Sequence, residues 1–526
     1  MNIRLILLSA ILSLICNVSN AQIEGDNLFA EDQIVNIELD FSQVGFWDSL
    51  TLNYETETYM KAELTITDKT GTYSFADVGI RLKGNSSYGH PGVKKSFKID
   101  FNKYVTGQNY DGLKKLNLSN GFKDPTMIRE KLFFDVCRAA DVAAPRANFA
   151  NVFFNGTLWG FYTLVEQIDD QFLDWKILDD DGNLFKAAAN FGGGGGPGGG
   201  GGGNEADLKY YGEDQADYEE SYELKSNEDE NDWSDLIALT KFIDTSTPTE
   251  FEEGLGERME LSEYLRSAAL DNLFGNLDSY TGSARNFYIY HNLTTDKWEW
   301  IKWDGNEAFG TYAAGVGNVT GLALDYHDNN RPLLENIFAS PVLFAQYQKE
   351  ICNLVENYFN PVYMNERINA MRDLVKVSVY ADDNKMYSDA NFDTNIESNL
   401  SGGGGGPGGG GGSVLGLKSF VQERNAFVTN ELDCSLISSV SQNEFTNVKL
   451  YPNPTSGIIS LEGDFSLFDG LAVYNVIGQQ VYKVTIENTD KVALDLTFLQ
   501  KGTYFAKFKS KNAEAKIGPS IKLIKL

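Results

Sequence analysis

Apolar and polar positions change period several times along the chain, and those changes outline its elements. Ile34-Val35-Asn36-Ile37-Glu38-Leu39 and Ala62-Glu63-Leu64-Thr65-Ile66 alternate with period two, which predicts antiparallel strands across residues 22 to about 75. Val78 to Lys83 and Lys94 to Phe101 read as two more strands joined by a small polar turn, Gly84-Asn85-Ser86-Ser87. Ile128, Leu132 and Val136 recur at helical spacing behind Asp124 and Pro125, so a helix is predicted to open with Asp124 as its cap. Ala150 to Glu166 is a hairpin about Asn155-Gly156, the strongest short-range hairpin signal. Helical periodicity returns in Ser234 to Asp244, Leu261 to Leu277, Pro341 to Phe359 and Leu415 to Leu432. Inside this helical region lies a second hairpin. Asn286 to Tyr290 and Trp298 to Trp303 are its strands, and Thr294 to Lys297 its turn.

The pattern shifts again near residue 448. Short apolar strands such as Gly457 to Leu461, Leu471 to Tyr474, Val492 to Leu496 and Gly502 to Phe508 follow one another with turns between them. About seven such strands in this length predict a small β-sandwich. The polar, aperiodic stretch 434–447 reads as a linker.

A chain of 526 residues predicts several domains. Met1 to Ala21 has a basic start, an apolar core from Leu5 to Ile15 and a small-x-small end, which is a signal peptide. Its apolar run is too short to span a bilayer, which takes about 20 residues, and no other stretch serves as a transmembrane segment. Two glycine runs, 192–203 and 402–412, carry no side chains to bury and are expected to be mobile inserts. With 44 basic and 74 acidic residues the net charge is −30. That excludes nucleic acid as a natural partner and favours basic partners or divalent cations; an ordinary acidic, solvated surface explains it equally well. Beyond the signal, Cys137, Cys352 and Cys434 are widely spaced and predict no disulfide framework, so stability is expected to rest on the core.

Candidate chemistry gathers at the ends of the second hairpin. Asp278 and Asn286 lie on one side, Asp304 and Asn306 on the other. Hard oxygen ligands of this kind suit Mg²⁺, which commonly accompanies phosphate. The same residues are also ordinary turn formers, and spacing alone leaves both readings open. In the earlier strand pair, a turn of small residues beside lysines is a fit for phosphates. Alternation sets Lys98 opposite in face to Phe97 and Ile99, which makes it the first choice for a phosphate lysine, with Lys95 the alternate.

These motifs, in this order, resemble the spore-coat-protein CotH kinase family. The match rests on Arg81-x-Lys83-Gly84-x-Ser86-Ser87, Lys94-Lys95-Ser96-Phe97, the Arg129-Glu130 segment, Asn155-Gly156 to Glu166, Leu184-Phe185-Lys186, and the segment from Asp278 through Trp303-Asp304 to Gly310. The resemblance implies an α+β, atypical protein-kinase-like domain of two lobes, the first rich in strands and the second helical, over 22–433. It implies ATP and Mg²⁺ (or Mn²⁺) as cofactors. Asp278 would then be the catalytic base, and Asn286 and Asp304 metal ligands. Arg81, Ser86, Ser87, Lys95, Lys98 and Lys186 would lie near the nucleotide, with Glu166 at its base edge. Glu130 would pair with the phosphate lysine, although a solvent-facing helical glutamate is an equal reading. Asn306 stands where family members often carry a second acid, which bears against a two-metal site.

The end of the chain, 448–526, resembles the type A C-terminal sorting domain of type IX secretion through Tyr451-Pro452-Asn453-Pro454, Val473 to Gln479 and Lys501 to Tyr504. That implies an Ig-like β-sandwich, passage through the type IX machinery of a Bacteroidetes-type outer membrane, and release or attachment at the surface. Together the resemblances imply a secreted kinase acting on Ser or Thr of a protein substrate, and the chain's charge favours a basic one. The alternative is a catalytically weak or inactive kinase-like protein that serves as a surface binding module or scaffold.

Overall fold

The structure is a computed structural model in which residues 23–188, 205–401, 413–434 and, with short gaps, 449–525 are described. The signal segment, both glycine runs and most of the linker lie outside the described residues.

Seven strands form the first part of the chain: β1 (Ile34–Asp40), β2 (Met60–Asp68), β3 (Gly71–Lys83), β4 (Ser96–Asp100), β5 (Lys115–Ser119), β6 (Ala147–Phe154) and β7 (Thr157–Glu166). Alternation drives their fold. Val35, Ile37 and Leu39 of β1, Leu64 and Ile66 of β2, Ile80 and Leu82 of β3, and Phe97 and Ile99 of β4 all enter one core, and each such side chain contributes about 1.5–3 kcal/mol when buried. The strands follow the order β1-β2-β3-β4-β5-β7-β6, and β6 returns to pair in parallel with β1, Ile34 against Phe149. The sheet therefore closes as a barrel, a closure that the reading of plain antiparallel strands did not anticipate. Closure leaves no free sheet edge. The Asn155-Gly156 hairpin forms as expected, with Phe154 opposite Thr157 and both turn residues at positive φ.

Four further strands, β8 (Leu184–Ala187), β9 (Tyr222–Leu224), β10 (Phe287–Asn292) and β11 (Lys297–Lys302), make a second sheet in the order β11-β10-β8-β9. The helices of this part are α1 (Phe46–Leu52), α2 (Ser86–Gly89), α3 (Arg129–Ala139), α4 (Asp170–Lys176), α5 (Ser234–Thr245), α6 (Pro248–Arg258), α7 (Leu261–Leu273), α8 (Pro332–Ala339), α9 (Pro341–Asn357), α10 (Pro361–Ala381), α11 (Asp389–Glu397) and α12 (Leu417–Glu431); α6 and α7 pack against β11 of the second sheet. Barrel, second sheet and these helices belong to one compact unit ending at Leu432.

Three local expectations change. The link from β3 to β4 is no tight turn but a longer connection holding the short α2. The helix expected at Asp124 begins at Arg129, because the Asp124 carboxylate instead holds a turn, accepting from the Thr126 and Arg129 backbone N–H groups and pairing with the Arg129 guanidinium. Cys352 and Cys434 are disulfide-bonded, against expectation, while Cys137 is a buried free thiol.

Residues from Asp433 onward form a separate unit. Its strands are β12 (Lys449–Tyr451), β13 (Ile458–Glu462), β14 (Phe468–Asn475), β15 (Gln480–Thr485), β16 (Lys491–Asp495), β17 (Gly502–Ser510) and β18 (Ser520–Lys525). They make a three-stranded sheet, β12-β13-β16, and a four-stranded one, β15-β14-β17-β18. Ile459, Leu461 and Leu494 from the first share a core with Leu471, Val473, Ala506 and Leu523 from the second.

Candidate functional site

The outer face of the barrel supplies the first half of the site. With Ile80 and Leu82 inside, β3 must turn Arg81 and Lys83 outward, and β4 must turn Lys98 the same way. Register then sets Arg81 beside Lys98, and Lys98 beside Asn117 of β5. Lys83 Nζ donates to Asn117 Oδ1 at 3.1 Å, and Asn117 Nδ2 donates to Gln167 Oε1 at 3.2 Å. Arg81 is paired with the exposed Glu57 at 2.9 Å. Lys98 makes no hydrogen bond or ion pair among the described residues; burial lowers its pKa to about 7, and the neighbouring Lys115, Arg81 and Lys83 add to that.

The β10–β11 hairpin supplies the second half. Phe287 pairs with Lys302, so the open end of the hairpin brings Asn286 and the residues after Lys302 together. Lys302 anchors that end: its ammonium forms a buried pair with Asp271 of α7 at 2.5 Å and donates to the Ser267 carbonyl at 2.9 Å. Trp303 then lies over Lys83, whose Nζ is 5.2 Å from the ring centroid. Asp304 follows with φ of +52°, in the left-handed region that Asp tolerates better than most residues. Asn286, also at positive φ, donates from Nδ2 to both the carbonyl and Oδ2 of Asp278 at 2.9 Å, while Ser283 donates to Asp278 Oδ1 at 2.7 Å. The Asn286 amide oxygen accepts no bond among the described residues.

The third part is α3, which carries Glu130 in its first turn, 6 % exposed. Close packing sets its position: a Cβ on Gly305 would come within 2.3 Å of the Phe133 ring. Gly305→Ala should therefore push α3 away from Asp304. Overpacking of this kind costs about 1–3 kcal/mol, so a clear fall in melting temperature is the expected result, and unchanged melting would show the approach to be looser.

Electrostatics tie the parts together. Burial lowers the Lys83 pKa, with the carboxylates of Asp304 and Glu130 opposing the shift. Burial pushes Glu130 well above the carboxylate range, Asp304 adding to the effect and Lys83 opposing it. Asp304 is raised by burial and by Asp278, and held down by Lys83 and Lys186. Glu130 thus acts electrostatically on Lys83, without a hydrogen bond or ion pair between them among the described residues, whereas the carboxylate acting on Lys98 is Asp169. Lys186 lies between Asp304 and Glu223, 3.9 Å from the latter.

The other expected residues have the following surroundings. Lys95 Nζ is bound to the carbonyls of Tyr88 and His90 in its own connection. Ser86 and Ser87 open α2, the Ser87 carbonyl accepting from Asn120 Nδ2 at 3.3 Å. The Glu166 side chain is 2 % exposed and engaged by Arg146 and the Trp175 indole N–H, and its backbone N–H donates to the Arg146 carbonyl at 2.9 Å. Asn306 sits in the 3-10 turn Gly305–Glu307, half-buried.

Sequence reasoning missed Lys83, Asn117, Gln167 and Glu307. Strand alternation from Arg81 was signal enough for Lys83. Glu307 is 5 % exposed, and burial raises its pKa to about 7, with Asp278 and Asp304 adding and Lys123 opposing. As a donor set, Asp278, Asp304 and the Asn286 amide oxygen are hard oxygens crowded in a desolvated place, which suits a divalent cation such as Mg²⁺. Among the described residues no group of three carboxylate, His or Cys side chains already closes round a metal position, so a cation here would need ligands from elsewhere, such as phosphate.

Residues 80–426, well over half the chain, match the family described as CotH kinase protein, and residues 449–520 match the secretion system C-terminal sorting domain. The chain is 26 % identical over 322 residues to inner spore coat protein H of Bacillus subtilis, covering 60 % of this chain and 82 % of that one. It is 22 % identical over 395 residues to invasin CotH3 of Rhizopus delemar, covering 71 % of this chain and 63 % of the invasin, and 22 % identical over 330 residues to invasin CotH2, covering 59 % and 52 %. The sorting domain marks the protein for secretion or attachment at the cell surface through the type IX system. No helix among the described residues is long and apolar enough to cross a membrane. The chain belongs to the CotH kinase family, with a C-terminal sorting domain behind it.

Proposed function

We propose that this protein is a secreted kinase that moves the γ-phosphoryl group of ATP to Ser or Thr hydroxyls of a protein acceptor. One observation carries the reading. In a chain of net charge −30, Lys98 is half-buried without a hydrogen bond or ion pair among the described residues, beside Arg81 and Lys83, and Lys83 in turn faces the carboxyl groups of Asp304 and Glu130. Uncompensated buried cations are costly, and a polyphosphate would compensate them. On this reading the barrel and α3 serve as a strand-rich lobe, the second sheet and later helices as the other lobe, and the C-terminal sheets as an Ig-like sandwich.

Lys83 and Lys98 would hold phosphate oxygens, Glu130 and Asn117 keeping the Lys83 ammonium in place. Asp304 and Asn286 would hold Mg²⁺ or Mn²⁺, which when bound neutralises charge on the phosphates. Asp278, its two oxygens fixed by Ser283 and Asn286, would take the hydroxyl proton as the acceptor oxygen bonds to the γ-phosphorus and the bridge to ADP breaks. Catalysis of this type is mostly positioning and charge neutralisation.

A second reading, a nucleotide-binding surface protein with little transfer activity, is favoured by Asn306, neutral where an acid is usual. Incubating the purified mature protein with γ-labelled ATP and Mg²⁺ or Mn²⁺, alone and with basic protein acceptors, separates the two. Label on protein Ser or Thr supports the kinase; nucleotide binding without label supports the second reading.

A further inference from the structure

Lys123 is a cation of the cluster that the kinase reading leaves unexplained. Lys123 Nζ lies 3.1 and 3.0 Å from the two oxygens of Glu307, so one ammonium takes up both lone-pair faces of that carboxylate. Glu307 ends the 3-10 turn Gly305–Glu307, which brings it back beside Asp304 and Asp278. Lys123 is not a loose surface lysine that happens to reach inward. Its backbone is at φ of +59°, a conformation most residues avoid. The turn that imposes it is closed by the Asp124 N–H on the Gly121 carbonyl at 3.0 Å, and Asp124 in turn holds Thr126 and Arg129. The ammonium also lies 5.2 Å from the Phe122 ring centroid and 5.8 Å from that of Tyr312.

We infer that Lys123 is a built-in substitute for a second divalent cation, so that the site takes one metal ion per nucleotide. The inference rests on the kinase-site reading above and deepens it. Local charge supports it: Lys123 cancels the charge of Glu307, and Lys83 and Lys186 already act on Asp304, so the cluster keeps too little free negative charge for two divalent ions. Asn306 adds none. Lys123 is a positioning residue here, acting on the cation count through Glu307.

The test counts protein-bound Mn²⁺ by electron paramagnetic resonance at pH 8, with a non-hydrolysable ATP analogue at saturation. The parent should bind one ion. Lys123→Met should bind two, since the freed Glu307 carboxylate becomes available. The double variant Lys123→Met with Glu307→Gln should return to one, and its melting curve shows whether the loop still folds. Two ions in the parent, or one in a folded Lys123→Met, would overturn the inference. Absence of Mn²⁺ and analogue binding in the parent would instead overturn the kinase-site reading on which it depends.

Discussion

Asp304→Asn should retain the fold and lose phosphoryl transfer. Asparagine tolerates the left-handed backbone at this position, so the turn after β11 should survive. What is lost is a negative charge facing Lys83, Lys186 and any divalent ion. Removing one preorganised charge from such a site costs on the order of 10²–10³ in rate, and transfer should fall at least that far, with weaker nucleotide binding in the presence of Mg²⁺. Asp278→Asn should part from it. A base contributes about 10²–10⁴ to turnover but little to holding nucleotide, so binding should stay near that of the parent. The comparison is nucleotide affinity beside transfer rate for both variants. Equal affinity of Asp304→Asn and parent, with Mg²⁺ present, would return Asp304 to the role of a turn former.

The two lysines of the barrel face should respond in opposite directions. Lys83→Met strips the cation from between two buried carboxyl groups, which destabilises the free protein as well as weakening nucleotide binding. Lys98→Met removes a charge that the free protein carries at a cost. Its folded pKa of about 7 lies below the ordinary 10.5. The stability linked to this group is fully present above about 10.5 and is lost as pH falls through 7. Lys98→Met should therefore melt higher than the parent near pH 6, and the advantage should shrink steadily as pH rises above 7. With nucleotide bound the order should reverse, because the phosphates then lack a partner. Melting curves across pH 6 to 9, with and without Mg²⁺-ATP, check both signs. A Lys98→Met that melts below the parent at pH 6 without nucleotide would mean that the lysine already has a compensating anion.

Much of this arrangement was legible in the sequence, for local reasons. The Asn155-Gly156 and Thr294–Lys297 turns announce their hairpins because the φ > 0 requirement and the period-two strands are written within a dozen residues. Asp278, Asn286 and Asp304 stand together because the hairpin they flank has a readable register. Features set by distant pairing were not legible. Barrel closure depends on β1 meeting β6, and alternation identifies a strand's buried face without naming its neighbour. The start of α3 was misplaced because Asp124 has a stronger partner in Arg129 than in a helix N-terminus. Lys83 and Lys98 share a face, so the pattern could not say which of them Glu130 would act on; that depends on where α3 packs, which is governed by the Gly305–Phe133 approach. Nothing in the spacing singles out Glu307, because only the 3-10 turn Gly305–Glu307 returns the third residue after Asp304 to the cluster.

The proposed kinase depends on a Mg²⁺-nucleotide site built from Lys83, Lys98, Glu130 and Asp304. The most direct check is the melting temperature of the mature protein with ATP, measured with Mg²⁺ and again with chelator. A ligand at 100 times its dissociation constant stabilises the folded state by about 2.7 kcal/mol, so ATP with Mg²⁺ should raise the melting temperature clearly, and chelator should remove most of that gain. No shift at millimolar Mg²⁺-ATP, or the same shift with and without metal, would contradict the account.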